Sequence, residues 1–387
     1  MLALVVLGLV VGVLVQLKRP LPPPMFRLDA TRSVGVTGTT PVPPWPAQGQ
    51  SAVAVPELGV LRESGPEVPV PVASVTKMMT AYVVLRAHPL GPDDQGPSLS
   101  LTAADQNEAD ADADAGDAAV PVQTGEQVTE RQLLDGLMVP SADNLADVLA
   151  MWVSGSTAAF VATMNATAAR LGMRDTHYAD PAGLDATTVS TAADSLRLAA
   201  TAMKLPAFAA IVDQHTATLP VAGLVTNPDR SIGIDGFVGI KSGFTDAAQG
   251  CLVLATLRQV DGRHELVLAA AMGQGGLDPL GAADTVTRAL IDSAAAGLEP
   301  YSLLEAGAVM GTERSRWGAS TAVRTVATIR AVVEPGDVVH IAVVRSTWRG
   351  IRSGTVVVSE GGHVVLTQRL RTGPMSPPSW WWRLLHG

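Results

Sequence analysis

Three short groups of residues combine hydroxyl, amine and carboxylate or amide side chains in patterns that suit nucleophilic catalysis. The first is Ser74-Val75-Thr76-Lys77, in which the hydroxyl and the amine are three residues apart. On a helix this spacing places the two side chains next to each other on one face. A serine needs a neighbouring base to become a nucleophile, and a partly desolvated lysine can accept its proton. The group therefore predicts Ser74 as a nucleophile and Lys77 as its general base.

The second group, Lys241-Ser242-Gly243, stands at the end of a predicted strand over residues 237–242 and precedes Phe244. A cation and a hydroxyl beside a cleft can bind a carboxylate. A glycine there lets a substrate backbone approach closely. The group predicts a strand edge that binds an anionic substrate.

The third group follows Pro140 and consists of Ser141-Ala142-Asp143-Asn144. It precedes a predicted helix over residues 142–153, which places Ser141 at the helix N-cap. Helix capping alone would explain this serine without catalysis. Taken singly, each of the three groups is a weak signal.

The order of the groups and the scarcity of lysine make the combination more specific. Only four of the 27 basic residues are lysines, and two of them, Lys77 and Lys241, fall in these groups. Arginine keeps its proton in proteins, whereas lysine can act as a base once its pKa is lowered. A serine–lysine pair, a middle serine and a lysine–hydroxyl–glycine group occur together in penicillin-binding proteins and class A β-lactamases.

The sequence resembles the serine-type D-alanyl-D-alanine carboxypeptidases, the low-molecular-mass penicillin-binding proteins, over roughly residues 50–372. The segments that carry the resemblance are ASVTKMMTAYVVL (73–85), GEQVTERQLLDGLMVPSADNLADVLA (125–150), FVATMNATAARLGMRDTHYADPAGLD (160–185) and GFVGIKSGFTDAAQGCLVLAT (236–256). It implies that Ser74 attacks the carbonyl of the penultimate D-Ala and forms an acyl-enzyme. It also implies that Lys77 is the base and that Ser141 relays a proton.

The same resemblance assigns the substrate-binding residues and the ligands. Lys241 and Ser242 would hold the terminal carboxylate of the substrate, and the backbone N–H groups of Ser74 and Phe244 would form the oxyanion hole. The implied substrate is a peptidoglycan stem peptide ending in D-Ala-D-Ala, and β-lactams would acylate the same serine. Seven scattered histidines and the single Cys251 predict neither a metal nor another cofactor.

Two positions depart from the family pattern. The middle group usually reads S-x-N, but Asp143 stands at its third place and Asn144 follows. An amide both donates and accepts hydrogen bonds, whereas an ionised carboxylate only accepts and favours the charged form of a nearby Lys77. Either Asn144 substitutes through a local shift, or Asp143 acts as an acceptor, or activity is reduced. Ser242 in place of the usual threonine keeps the hydroxyl.

Composition divides the chain into five predicted parts. Residues 1–19 open with an uncharged apolar run and form a signal or membrane-anchor segment, and the proline-rich residues 20–49 form an extended linker. Residues 50–300 form the catalytic domain, which the resemblance implies is an α/β transpeptidase domain like that of penicillin-binding proteins and β-lactamases, with an antiparallel sheet covered by helices. Residues 305–372 form a small C-terminal β domain, and residues 373–387 form a tryptophan-rich tail.

Apolar periodicity predicts the elements of the catalytic domain. We expect strands over 51–55 and 58–62 and helices over 72–87, 129–137, 142–153, 157–171, 192–204 and 282–296. A hairpin is expected over 250–259 and 264–272, around Asp261-Gly262. Residues 91–119 are predicted to be a loop, and the acidic run within it favours a solvated segment over a calcium site.

The chain ends bear on location. Lys18 and Arg19 follow the apolar run, a pattern that alone would leave the rest of the chain in the cytoplasm. Peptidoglycan lies outside the cytoplasmic membrane, so the resemblance implies export. Three tryptophans, at 380–382, stand beside Arg383 and suit a membrane interface or a tail packed on the protein. We therefore expect an exported, membrane-associated protein, and the net charge of −9 argues against a nucleic-acid partner.

Two other functions stay open at this stage. A class A β-lactamase needs a glutamate after the middle serine, and no glutamate occurs between Glu130 and Glu265. A non-catalytic, membrane-tethered homologue that binds muropeptides would explain Asp143. The carboxypeptidase interpretation accounts for most of the residues.

Overall fold

The computed structural model describes residues 2–28, 32–65, 68–348 and 351–386. They divide into two compact units, a central unit (Pro41–Leu298) and a terminal unit (Met1–Thr40 with Glu299–Gly387). Residue 1, the first of the predicted anchor, and residue 387, the last of the predicted tail, lie outside the described part of the chain.

The helices are α1 Leu2–Lys18, α2 Lys77–Ala87, α3 Ala103–Ala115, α4 Glu130–Met138, α5 Asn144–Ser154, α6 Thr157–Leu171, α7 Ala192–Ala202, α8 Pro206–Val212, α9 Pro279–Ala296 and α10 Trp380–His386. The strands are β1 Met25–Leu28, β2 Arg32–Gly35, β3 Gln50–Val55, β4 Val60–Glu63, β5 Val70–Pro71, β6 Ser98–Ser100, β7 Gln127–Thr129, β8 Val189–Ser190, β9 Thr216–Leu219, β10 Gly223–Thr226, β11 Phe237–Thr245, β12 Gln249–Val260, β13 Arg263–Gln274, β14 Glu299–Leu304, β15 Val309–Arg314, β16 Ser320–Thr325, β17 Ile329–Val333, β18 Val338–Trp348, β19 Ile351–Glu360 and β20 His363–Thr372. Short 3₁₀ turns cover Pro56–Leu58 and Ala73–Thr76.

The central unit is built on a five-stranded antiparallel sheet in the order β11-β12-β13-β3-β4. The predicted hairpin is confirmed, because β12 and β13 join at Asp261 and Gly262, whose φ angles are 50° and 77°. Two successive positive φ angles match the twist of an antiparallel pair, which is why Asp-Gly is favoured there. Helix α9 packs on β12 and β13, as expected for a helix that covers this sheet.

Helix α2 lies in the middle of the central unit. Nine of its 11 residues are buried, and it contacts α4, α5, α6, α7 and α8. A helix that buries most of its circumference must be surrounded by other elements. The predicted helix over 72–87 is therefore confirmed, with a 3₁₀ turn as its first part.

The predicted loop over residues 91–119 is wrong in its middle, because α3 occupies Ala103–Ala115. Thr102 and Asp105 form a reciprocal capping box at its start, and Gly116 ends it with a φ of 84°. Alternating alanines supply the strongest helix former, which outweighs the repulsion of the acidic side chains.

The terminal unit holds a seven-stranded sheet in the order β1-β15-β16-β20-β19-β18-β2. Strands β1 and β2 come from the stretch expected to be an extended linker, and they pair with β15 and β18. The aromatic ring of Phe26 covers Gly311 on β15, where a side chain would leave no room for it. The two strands thus belong to the terminal unit rather than to a free spacer.

Helix α1 is the apolar run at the start of the chain. Within the described residues no single helix combines the length and apolarity needed to cross a membrane, although two bent pairs, α5 with α6 and α7 with α8, do so by length and composition alone. At the other end, α10 contains the three tryptophans and packs against α1.

Candidate active site

Ser74 and Lys77 meet at the start of α2. Ser74 lies in the 3₁₀ turn, and the Nζ atom of Lys77 lies 2.7 Å from its Oγ atom. Ala73, just before the serine, has a φ of 48°, which an alanine adopts only at an energetic cost. The turn thus presents the hydroxyl to the amine as the three-residue spacing predicts.

The Lys77 side chain is completely buried. Its ammonium forms an ion pair with the Asp143 carboxylate and donates a hydrogen bond to the carbonyl oxygen of Ala182 at 3.3 Å. Burial lowers the pKa of Lys77 below its ordinary value, while the charge of Asp143 opposes that shift. The lowered pKa is what a general base at neutral pH requires.

The middle group differs from the expectation in its local structure. Helix α5 begins at Asn144, not at 142, and Ser141 precedes it with a φ of 70° instead of forming the N-cap. Within the described part of the chain, the Ser141 hydroxyl forms no hydrogen bond with Ser74 or Lys77. A left-handed serine between two helices is a strained feature of the kind that clusters at active sites.

Asp143 and Asn144 have separate partners. The second carboxylate oxygen of Asp143 accepts a hydrogen bond from the backbone N–H of Ala118 at 3.0 Å. The Asn144 side-chain amide pairs with the backbone N–H and C=O of Val120, at 3.1 Å in each case. Asp143 therefore faces Lys77, whereas Asn144 fastens the segment after α3 to α5.

Lys241 is 2% exposed and donates a hydrogen bond to the carbonyl oxygen of Ser242 at 2.8 Å. Burial and, to a smaller extent, the positive charge of Lys77 lower the pKa of Lys241 to about 7. The carboxylates of Asp229 and Asp143 act in the opposite direction. The charge of Lys77 acts on Lys241, so the first and second of the three groups share one region.

Strand β11 lies directly against the turn that holds the serine. A Cβ on Gly243 would stand 2.7 Å from the backbone nitrogen of Ser74, so only glycine permits this approach. Ser242 pairs with Leu252 on β12 and lines a small cavity of about 170 Å³ with Asp229. Phe244, the next residue along the strand, is exposed.

A loop that sequence reasoning missed closes the other side of the site. The Asp180 carboxylate accepts hydrogen bonds from the backbone N–H groups of residues 182–185. It thereby holds the Ala182 carbonyl at Lys77. Gly183 has a φ of 92°, and a Cβ there would lie 1.9 Å from the carbonyl oxygen of Ala73. The Asp-Pro-Ala-Gly pattern at 180–183 is the signal that could have identified this loop.

A family profile of D-alanyl-D-alanine carboxypeptidases matches residues 42–273, which is more than half of the chain. The chain belongs to this family. The match covers the Ser74, Ser141 and Lys241 groups, and nearly the whole central unit.

Individual relatives agree with the profile. The D-alanyl-D-alanine carboxypeptidase DacB2 of Mycobacterium tuberculosis is 34% identical over 251 residues, which cover 63% of this chain and 81% of DacB2. A D-alanyl-D-alanine endopeptidase of Pseudomonas aeruginosa is 30% identical over 222 residues, covering 54% of this chain and 67% of the relative.

Solved structures agree on the fold. Penicillin-binding protein 5 from Haemophilus influenzae aligns with a TM-score of 0.63 at 20% identity, over 86% of this chain and 98% of its own. The Streptomyces K15 DD-transpeptidase aligns with a TM-score of 0.57 at 26% identity, over 67% of this chain and all of its own. The predicted family, the transpeptidase-like fold with a C-terminal β domain and the serine carboxypeptidase class of enzyme are confirmed.

Proposed function

We propose that this carboxypeptidase removes the terminal D-Ala from peptidoglycan stem peptides through an acyl-enzyme on Ser74. One observation carries the proposal. A buried amine with a lowered pKa lies 2.7 Å from a serine hydroxyl, on a turn pressed against the strand that bears a second lysine.

In the first half-reaction the Ser74 oxygen attacks the carbonyl carbon of the penultimate D-Ala, and its proton passes to the Nζ atom of Lys77. Backbone N–H groups of Ser74 and Phe244 stabilise the negative oxygen that forms. Ser141 relays that proton from Lys77 to the leaving amine, the peptide bond breaks, D-Ala departs, and Lys77 is again uncharged. An ester between Ser74 and the shortened peptide remains.

In the second half-reaction water attacks that ester. Lys77 takes one proton of the water, the bond to Ser74 breaks, and the proton returns to the serine. Lys241 and Ser242 hold the terminal carboxylate of the incoming peptide, which fixes the scissile bond at the nucleophile. β-Lactams acylate the same hydroxyl.

Intact-mass measurement of the chain after incubation with benzylpenicillin tests the proposal. A persistent adduct on Ser74, together with D-Ala release from a soluble peptide ending in D-Ala-D-Ala, is the expected outcome. An adduct that disappears within seconds would indicate a β-lactamase. An unmodified chain would indicate a non-catalytic muropeptide-binding homologue.

Replacing Asp143 by asparagine is expected to raise the acylation rate at neutral pH several-fold, up to about tenfold per unit of pKa change. The carboxylate pairs with the Lys77 ammonium and favours its charged form, so its loss lowers the pKa of Lys77 further. The acid limb of the acylation pH profile should then move to lower pH. Asp110→Asn, on the exposed face of α3, is the matched control. An unchanged profile would show that Asp143 does not set the protonation of Lys77.

The affinity for substrate is expected to weaken as the pH rises through about 7. Lys241 binds a carboxylate only while protonated, and its pKa is about 7 because burial and Lys77 disfavour the charge. The KM for a D-Ala-D-Ala peptide should therefore increase above that pH, by up to about tenfold per pH unit. Lys241→Arg keeps its charge and should remove this increase. If KM varies in the same way in both proteins, another group titrates.

We place the enzyme outside the cytoplasmic membrane, where peptidoglycan lies, and propose that both chain ends associate with that membrane. The apolar side chains of α1 are mostly exposed, and Arg383 on α10 donates a hydrogen bond to the Leu17 carbonyl oxygen at 2.7 Å. Trp380 and Trp381 are 56% and 59% exposed beside it. Tryptophan favours the membrane interface, and sedimentation of the full chain with phospholipid vesicles tests the association.

A further inference from the structure

Charge is divided unequally between the two units. The terminal unit contains 14 lysines and arginines against seven aspartates and glutamates, a net charge of +7. The whole chain has a net charge of −9, so −16 remains for the central unit. The stem peptides of the proposed substrate end in carboxylates, and the central unit as a whole repels them. The net positive charge that would attract the enzyme to an anionic polymer over a distance lies in the terminal unit.

The register of the terminal sheet places five of its arginines on one face. Arg27 on β1 lies opposite Thr312 on β15. Arg314 is two residues from Thr312 on the same strand. Arg324 lies on β16, two residues from Ala322, the partner of Thr312. Arg371 lies opposite Arg324, and Arg369 is two residues away on β20. Because side chains alternate along a strand, all five share this face.

Within the part of the chain that the structure describes, these arginines are exposed and have no carboxylate partner. Each of the five side chains is exposed, whereas Glu313 and Val323, at alternate positions on the same strands, are buried. Among the described residues no ion pair involves any of the five, although Arg324 donates a hydrogen bond to the Gly307 carbonyl oxygen at 2.8 Å. We call this set the arginine face.

Arg324 and Arg371 form the centre of the arginine face. Like charges directly opposite each other on neighbouring strands are destabilising unless an anion lies between them. The pair borders a cavity of about 800 Å³ that hydroxyl side chains also line, among them Ser320, Thr321 and Thr372. Guanidinium groups bind carboxylates through paired hydrogen bonds, and hydroxyls suit the neighbouring sugar and amide groups.

We propose that the arginine face is a second binding site for the peptidoglycan polymer, with stem-peptide carboxylates held between Arg324 and Arg371. The proposal rests on the proposed function for the identity of the polymer. A concave, hydroxyl-lined cavity accommodates a chain, whereas a bilayer presents a flat array of headgroups. Binding here would hold the enzyme on the polymer while the Ser74 site acts on individual peptides.

Co-sedimentation of the full chain with purified peptidoglycan, as a function of salt, tests this site. Arg324→Gln with Arg371→Gln is expected to weaken binding about tenfold at low salt and to reduce its salt dependence, because two charge-assisted contacts are lost. The matched control, Arg86→Gln with Arg174→Gln, removes the same charge from exposed positions of the central unit and should bind like the parent. Both variants should retain the parental melting temperature and penicillin acylation.

The outcomes separate this inference from the proposed function. Equal losses in the two variants, or parental binding in the Arg324/Arg371 variant, would overturn the site. If the Arg324/Arg371 variant bound vesicles of anionic phospholipid more weakly than the parent but bound peptidoglycan equally well, the arginine face would be assigned to the membrane instead. Failure of the parent to release D-Ala from a soluble peptide would overturn the proposed function, whatever the sedimentation result.

Discussion

Replacing Ser74 by alanine is expected to abolish both acylation by benzylpenicillin and release of D-Ala, each by about 10⁴-fold or more. No other hydroxyl of the chain lies at hydrogen-bond distance from the Lys77 amine in the described residues. Without the Ser74 oxygen there is no atom to carry the acyl group. Intact-mass measurement and an assay of released D-Ala report the two losses separately.

The Ser74→Ala protein should remain folded. Lys77 keeps its ion pair with Asp143 and its hydrogen bond to the Ala182 carbonyl, so the buried ammonium is not left without partners. Ser100→Ala, at an exposed position of β6, serves as the control and should acylate like the parent. Release of D-Ala by the Ser74→Ala protein within tenfold of the parental rate would reject the covalent mechanism.

Sequence alone predicted the centre of the site because its key pair is local. The three-residue spacing of Ser74 and Lys77 fixes their contact once α2 forms, and the apolar pattern of 72–87 predicts that helix. The predicted strand and the glycine two residues later point to Lys241 as a substrate-binding residue, and that role stays a prediction. For these residues, local structure and chemistry point to the same arrangement.

The rest of the site depends on contacts between distant segments. Asp180 organises residues 182–185, which place a carbonyl at Lys77 more than 100 positions away along the chain. The backbone of Ala118 fixes the second oxygen of Asp143. The φ of Ser141, which lies between α4 and α5, is positive although the residue type favours a helix cap. Periodicity and motifs carry no information on such constraints.

Errors in the fold have a similar cause. The alternating acids of α3 suggested a solvated loop, yet the alanines and the Thr102 capping box favour a helix. Proline density suggested a spacer over residues 20–49, but four-residue strands at 25–28 and 32–35 pair with strands some 300 positions later. Strands this short, with long-range partners, lack the length that makes an alternating pattern recognisable.

The protonation of Lys77 is a balance between two opposing effects. Complete burial disfavours the ammonium, and the Asp143 carboxylate favours it. Where the family pattern has an asparagine at the position of Asp143, only burial acts on the lysine. Activity at neutral pH depends on the fraction of Lys77 that is uncharged. The acid limb of the pH profile therefore measures the effect of Asp143 in place of the usual asparagine.

Replacing Lys77 by arginine is expected to lower the acylation rate about 10³-fold. A guanidinium keeps its proton in proteins, so it cannot accept the proton of Ser74. It still supplies a cation for Asp143, so the change removes basicity while the buried charge pair is retained. Raising the pH to about 10 should not restore acylation by the Lys77→Arg protein, because the guanidinium stays protonated. A lysine of ordinary pKa in the same place would lose its proton near that pH, and acylation would recover.

Lys204→Arg provides the comparison, because Lys204 is exposed beyond the end of α7 and has no part in the proposed reaction. It should acylate at the parental rate. Since arginine is larger than the buried lysine, thermal unfolding of the Lys77→Arg protein must first show a cooperative transition. Acylation by that folded protein within tenfold of the parent would exclude Lys77 as the base. The proton of Ser74 would then have to pass to another group, such as Ser141 or Asp143.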